Sequence, residues 1–167
     1  MRLRPDEPAA QPQASMRPYL RTLLMRRTDW MESRVLEAAS RNGYGAITPA
    51  MNRLFGHMRS RAMSLSDLAR QLGVSRQAVH QIAGQAQTLG LVELFANAQD
   101  ARVKLVRFTS AGRAMSNGAA LELEAIERSL AERLGERDLK TLKRILSRAW
   151  SDDEPPRSNP QQGSRDG

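Results

Sequence analysis

From residue 18 onward apolar residues recur mostly at helical spacing, with one strand-like interval between. Pro18 suits the first turn of a helix that carries Leu20, Leu24, Met31 and Val35 and ends near "RNGYG". Thr48-Pro49 is a cap followed by proline at the first helical position, and Met51, Leu54, Phe55 and Met58 then repeat along one face. Ser64 stands three before Asp67, a capping-box-like start, ahead of a stripe of Leu65, Leu68, Ala69 and Leu72. Gly73 breaks that helix, Ser75 caps the next, and Gly90 stops it; Val79, Ile82, Ala86 and Leu89 are its expected inward face. Beyond Gly90 the period becomes that of strands. "LVELF" and "VKLVRF" flank the polar "ANAQDA" and predict a hairpin. Thr109 caps a long helix through Met115, Leu121, Ile126, Leu130 and Leu134, Gly135 interrupts it, and a last helix carries Leu139, Leu142, Leu146 and Ala149. The expected fold class is therefore mainly α with a small β-hairpin (α+β): four helices, the hairpin, then two helices. There is no internal repeat.

The ends of the chain have another character. "MRLRPDEPAAQPQAS" and "SDDEPPRSNPQQGSRDG" hold almost nothing that a core could bury, so residues 1–15 and 151–167 are expected to be disordered. The first of these is no secretory signal, having no apolar core. The 167 residues suit one domain, expected over 16–150. No apolar run approaches the roughly 18 residues of a membrane span.

Within that domain, Leu65 to Leu89 has the anatomy of a helix-turn-helix. Ala69 is small where two helices cross, Gly73 lies in the turn four residues later, and Val79 and Ile82 face back onto the first helix. The outer face of the second helix then carries Arg76, Gln77, His80, Gln81 and Gln85, and no acidic residue occurs between Asp67 and Glu93. Glutamine amides can both donate to and accept from an adenine edge, and arginine can pair with guanine. Ser75 and the unpaired N–H groups at the helix start suit a backbone phosphate. A glutamine row is otherwise a plain solvated face. Gly84, in mid-helix, either permits a close approach or simply weakens the helix.

Charge agrees with a polyanionic partner. The formal net charge is +8, the pI about 11.1, and arginine far outnumbers lysine. Basic residues are spread over the first helix (Arg17, Arg21, Arg26, Arg27, Arg34), the approach to the helix-turn-helix (Arg53, Arg59, Arg61) and the hairpin (Arg102, Lys104, Arg107). A membrane-surface or protein adaptor would gather them on one amphipathic face. At the hairpin tip Arg102 can enter a narrow minor groove, with Asp100 as its support. Absence of cysteine excludes disulfides, Cys-based zinc sites and thiol sensors, and fits a cytoplasmic setting.

Taken together, "ITPAMNRLF", "LSDLARQLGVSRQAVHQI", "LGLVELFANAQDARVKLVRFTSAG" and the long flanking helices resemble the MarR family of winged helix-turn-helix transcriptional regulators. The resemblance covers nearly the whole of 16–150. It implies an obligate homodimer held by the first and last helices (about 16–42 and 110–150), with the winged helix-turn-helix at about 48–109 between them. It also implies two recognition helices in successive major grooves, and commonly a repressor released by a small phenolic ligand. Family pockets lie near the first two helices, which makes Trp30, Tyr44, Met51 and Phe55 the candidate lining; each is otherwise ordinary core. Leu94 departs from the pattern, standing where many members carry a basic residue at the base of the wing.

No glycine-rich phosphate loop, HExxH or nucleophile with its base appears, so the chain is expected not to be an enzyme, and to need neither cofactor nor metal. The expected function is that of a sequence-specific, homodimeric, double-stranded DNA-binding regulator on a near-palindromic site. Its rivals are a non-specific architectural DNA-binding protein and a basic interaction adaptor.

Overall fold

The computed structural model describes residues 17–58 and 60–150; the tails expected to be disordered, Met16 and Arg59 lie outside them. Its helices are α1 (Leu20–Arg41), α2 (Pro49–His57), α3 (Leu65–Leu72), α4 (Arg76–Thr88), α5 (Ser110–Leu134) and α6 (Glu136–Leu146). The strands are β1 (Met63–Ser64), β2 (Val92–Ala96) and β3 (Lys104–Phe108), forming an antiparallel sheet in the order β1-β3-β2. The chain divides into two compact units at Ala119/Ala120, with α5 continuing from the first into the second.

Local signals set most boundaries. Thr48 accepts from the Met51 N–H at 3.2 Å and precedes Pro49 in the first helical position of α2. Ser64 accepts from the Asp67 N–H at 3.0 Å and donates to the Asp67 carboxylate at 2.7 Å, so that α3 starts inside a reciprocal cap. Gly73, at φ 65°, ends α3, and the Val74 N–H reaches back to the Ala69 carbonyl at 3.1 Å. Gly90, at φ 70°, ends α4 in the same way, with Leu91 bonded to Ala86 and Gly90 to Gln87. Both closures are Schellman turns, in which the left-handed residue is cheapest as glycine.

The core lies in the first unit. Leu54, Leu68, Val79, Val92 and Val106 are fully buried, and Met51, Phe55, Leu65, Ala69, Leu91, Phe108 and Met115 close around them. Phe55 and Phe108 meet with ring centres 5.6 Å apart. Strand register follows from this burial. Val92 pairs with Phe108 and Leu94 with Val106 on the inner face, while Glu93 pairs with Arg107 and Phe95 with Leu105 on the other. In the second unit α6 follows the turn at Gly135 (φ 88°) and is tied to α5 by the ion pair of Lys143 with Glu127.

Several expectations need correction. The sheet has a third strand, because Met63–Ser64 pairs with Val106 and Leu105 of β3. Helix α1 begins at Leu20 with Tyr19 as its flanking residue, after Pro18, and α6 stops at Leu146, short of Ala149. Leu89 is exposed, and its place in the core is taken by the fully buried Ala83. Ala83 lies four residues after Val79 and three before Ala86 on the same inward face, whereas Leu89 falls in the turn that closes α4. Leu20, Leu121, Leu134 and Leu142 are also exposed, although they stand on apolar stripes.

One contact joins the end of α4 to the start of α5. The Thr109 hydroxyl donates to the Gly90 carbonyl at 2.6 Å and accepts from the Gly112 N–H at 3.0 Å, and the Thr109 N–H donates to the Leu91 carbonyl at 3.1 Å. A Cβ at residue 112 would lie 1.8 Å from that same Leu91 oxygen and 3.0 Å from the Phe108 ring. The obstacle is mainly backbone, which cannot swing aside. Gly112→Ala is therefore expected to cost about 3 kcal/mol of stability, as overpacking against a fixed neighbour does. Urea denaturation measures this, and an unchanged midpoint would show that the junction tolerates a side chain.

Candidate nucleic-acid interface

Helix α4 owes its amphipathic form to sequence spacing and its placement to the core. Ser75 accepts from the Ala78 N–H at 3.1 Å and starts the helix, while Val79, Ala83 and Ala86 bury one side of it completely. Arg76, Gln77, His80, Gln81 and Gln85 are all exposed. Gln77, Gln81 and Gln85 follow at four-residue steps, which places their amides along one ridge of the helix. Arg76 stands in the first turn, which carries no acidic residue. The surface on offer is thus neutral amides with a cation at the end where the helix dipole is positive, a combination hospitable to phosphate.

The hairpin tip is built from two side-chain turns. Asn97 accepts from the Gln99 N–H at 3.0 Å, and Asp100 accepts from the Arg102 N–H at 3.0 Å. The main chain closes the loop through Val103 to Asp100 and Asn97 to Val103, each at 2.9 Å. Asp100 thus holds the backbone of Arg102. The charged head of Arg102 is left to solvent, and Lys104 beside it is exposed as well. Among the described residues Arg76, Arg102 and Lys104 make no salt bridge, so their charge is not spent within the chain.

Other basic residues are engaged. Arg53 sits 3.6 Å from Glu32 of α1, and one Glu32 oxygen is buried without a hydrogen-bond partner. Arg107 donates through Nε to Glu93 across the strands and covers the Phe95 ring, 4.9 Å from its centre. That hydrogen bond holds the Glu93 carboxyl below the usual carboxylate range and raises Arg107 further. The footprint of available charge is accordingly narrower than composition suggested. Glu93 and Arg107 are fourteen residues apart, and no local pattern announces the pair. Leu94, where a basic residue would match the family pattern, packs against the core.

The four residues considered for a ligand pocket do not form one group. Met51 and Phe55 are buried members of the core and Tyr44 packs against it, whereas Trp30 on α1 stands outside that cluster, 41% exposed. Among the described residues no three His, Asp or Glu side chains gather as metal ligands, and no helix is long and apolar enough to cross a membrane.

Comparison with known proteins places this geometry. The model of the MarR family matches residues 53–103, from α2 through the wing tip. No curated protein matches the chain. Among solved structures, wild-type MarR from E. coli in its apo form aligns at a TM-score of 0.62 and 21% identity, covering 78% of this chain and 95% of that one. A mutant E. coli MarR complexed with operator DNA aligns at 0.62 and 22% identity, covering 76% and 90%. NadR in complex with 4-hydroxyphenylacetate aligns at 0.64 and 19% identity, covering 81% and 95%. At these identities the structures speak for the fold, and the family model speaks for the helix-turn-helix and wing. With that match through residues 53–103 and a fold shared over three-quarters of its length, the chain is similar to the winged helix proteins of the MarR family.

Proposed function

We propose that this protein is a sequence-specific regulator that binds double-stranded DNA as a homodimer, with α4 in the major groove and the β2–β3 wing on the flanking minor groove. The observation that carries the reading is the outer face of α4: five exposed residues able to read base edges or hold phosphate, with no carboxylate among them. Ser75 and the α4 N-terminus take a phosphate. Arg76, Gln77, His80, Gln81 and Gln85 face the bases, and Arg102 and Lys104 reach the flank. A mutant MarR of the same fold was solved with operator DNA, which supports this docking. The setting is the cytoplasm, where the DNA is.

Pairing of two chains is supported by apolar surface that the described chain leaves uncovered. Leu20, Leu23 and Met25 on α1 are exposed, as are Leu121, Leu123 and Leu134 on α5 and Leu142 and Ile145 on α6. A monomer seldom leaves so many large apolar side chains wet, and a second copy is the occupant that fits symmetric operator reading. Two-fold pairing places recognition helices roughly 34 Å apart and calls for a near-palindromic site. Repression, relieved by a small phenolic ligand, is the form of regulation proposed; NadR, of the same fold, was solved with such a compound. Of the residues considered for that ligand, Trp30 and Tyr44 keep accessible surface, whereas Met51 and Phe55 would take part only by repacking the core.

Selection of bound duplexes from a random pool, with and without phenolic compounds, tests the proposal. A recovered palindrome supports it, and binding that is equal for every sequence replaces it with an architectural role. On the recovered site Arg76→Ala or Gln77→Ala is expected to cost about 1–3 kcal/mol and to relax base preference. Preference unchanged in both would mean that another face reads the DNA. Arg102→Ala is expected to weaken binding most where the flanks are A·T-rich and the minor groove narrow. An equal loss on every flank would reduce Arg102 to a general phosphate contact. Ile145→Asp is expected to shift the mass in light scattering from two chains towards one, and an undisturbed dimer would move the interface away from α6.

A further inference from the structure

Glycines around the helix-turn-helix differ in whether the fold requires them. Gly73 and Gly90 have φ of 65° and 70°, and Gly112 abuts the Leu91 carbonyl. Gly84 has neither reason. Its φ is not positive, and a Cβ added there would meet nothing within 4 Å outside its chain neighbours and the backbone of its own helix. Yet it lies inside α4, where glycine loosens a helix that alanine would strengthen.

Its position on the helix is informative. At 3.6 residues per turn Gly84 falls opposite the buried Val79 and Ala86, on the side of Gln77, Gln81 and Thr88. The Thr88 hydroxyl donates to the Gly84 carbonyl at 3.1 Å, so that the oxygen left bare by the missing side chain is satisfied within the helix. The middle of the proposed reading face is therefore a stretch of smooth, hydrogen-bonded main chain between amide side chains. Gly84 also lies eight residues from Arg76, about 12 Å along the axis at 1.5 Å per residue. The major groove is about 12 Å wide. A helix whose first turn meets one side of the groove would reach the other side near Gly84.

We propose that Gly84 is the point of closest approach between the protein main chain and DNA, where the bare turn of α4 packs against the sugar–phosphate wall of the major groove. A side chain there would hold the helix out of the groove and leave Gln77 and Gln81 short of the base edges. This rests on the assignment of α4 as the recognition helix.

Gly56 in α2 provides the control, since its φ is also not positive, a Cβ there meets nothing within 4 Å, and it lies off α4. Gly84→Ala, Gly84→Leu and Gly56→Ala are compared with the full chain by thermal unfolding and by fluorescence anisotropy on the duplex recovered by selection. Both alanine variants are expected to melt a few degrees higher, because each removes a helical glycine. Gly84→Ala is expected to bind about tenfold more weakly, as overpacking of a tight contact would have it, Gly84→Leu more weakly still, and Gly56→Ala like the wild type. Gly84→Ala binding within about twofold of the wild type would overturn this inference alone and leave the DNA-reading assignment standing. A lower melting point for Gly84→Ala would overturn it too, by showing that the fold itself needs the glycine. A folded wild type that selects no duplex would overturn both.

Discussion

Where α5 begins, the main chain of Gly112 lies against the carbonyl of Leu91 too closely for any side chain. Thr109 binds the same corner three ways, to the carbonyl of Gly90, to the carbonyl of Leu91 and to the N–H of Gly112. Leu91 in turn closes α4 by bonding to Ala86, so one short segment is at once the C-terminal closure of α4 and the seat of the next long helix. Such a junction shares its hydrogen bonds between two helix ends, each of which would otherwise leave polar groups to find other partners. It also delivers Val92 and Phe108 to the core in register, and the wing follows from that register.

On this frame some basic residues are tied within the chain and others are not. Arg53 and Arg107 are tied to carboxylates, and Arg107 is further laid over Phe95. The Arg107–Glu93 pair is exposed and contributes little stability, whereas Glu32 of the other pair is largely buried. Their consequence lies in what they withdraw from the surface. Arg76 at the head of α4 and Arg102 and Lys104 at the wing make no salt bridge among the described residues.

The amide ridge depends on the same economy of contact. Alanines at positions 83 and 86 bury the inner side of α4 without bulk, so the helix can lie close to its neighbours while its outer side stays clear of them. The ends of the helix are fixed by the caps at Ser75 and Gly90.

Helix starts and stops were legible in the sequence because their causes are local. Thr48-Pro49, Ser64 with Asp67, Gly73, Ser75, Gly90 and Thr109 each act on backbone groups within a few residues, and the structure uses all of them. The outward face of α4 was legible for the same reason, since helical period alone separates its glutamines from Val79 and Ala86. Tertiary structure decided what depends on distant partners. Strand β1 exists only because β3 offers an edge to Met63 and Ser64. Leu89 is exposed where the chain turns at Gly90, and Glu93 holds Arg107 because strand register sets them opposite each other. Gly112 reads as an ordinary helical glycine until the Leu91 carbonyl is found where its side chain would be. Local hydrogen bonding can be read along the chain, whereas an atom's occupancy of space is known only once the neighbours that fill it are in place.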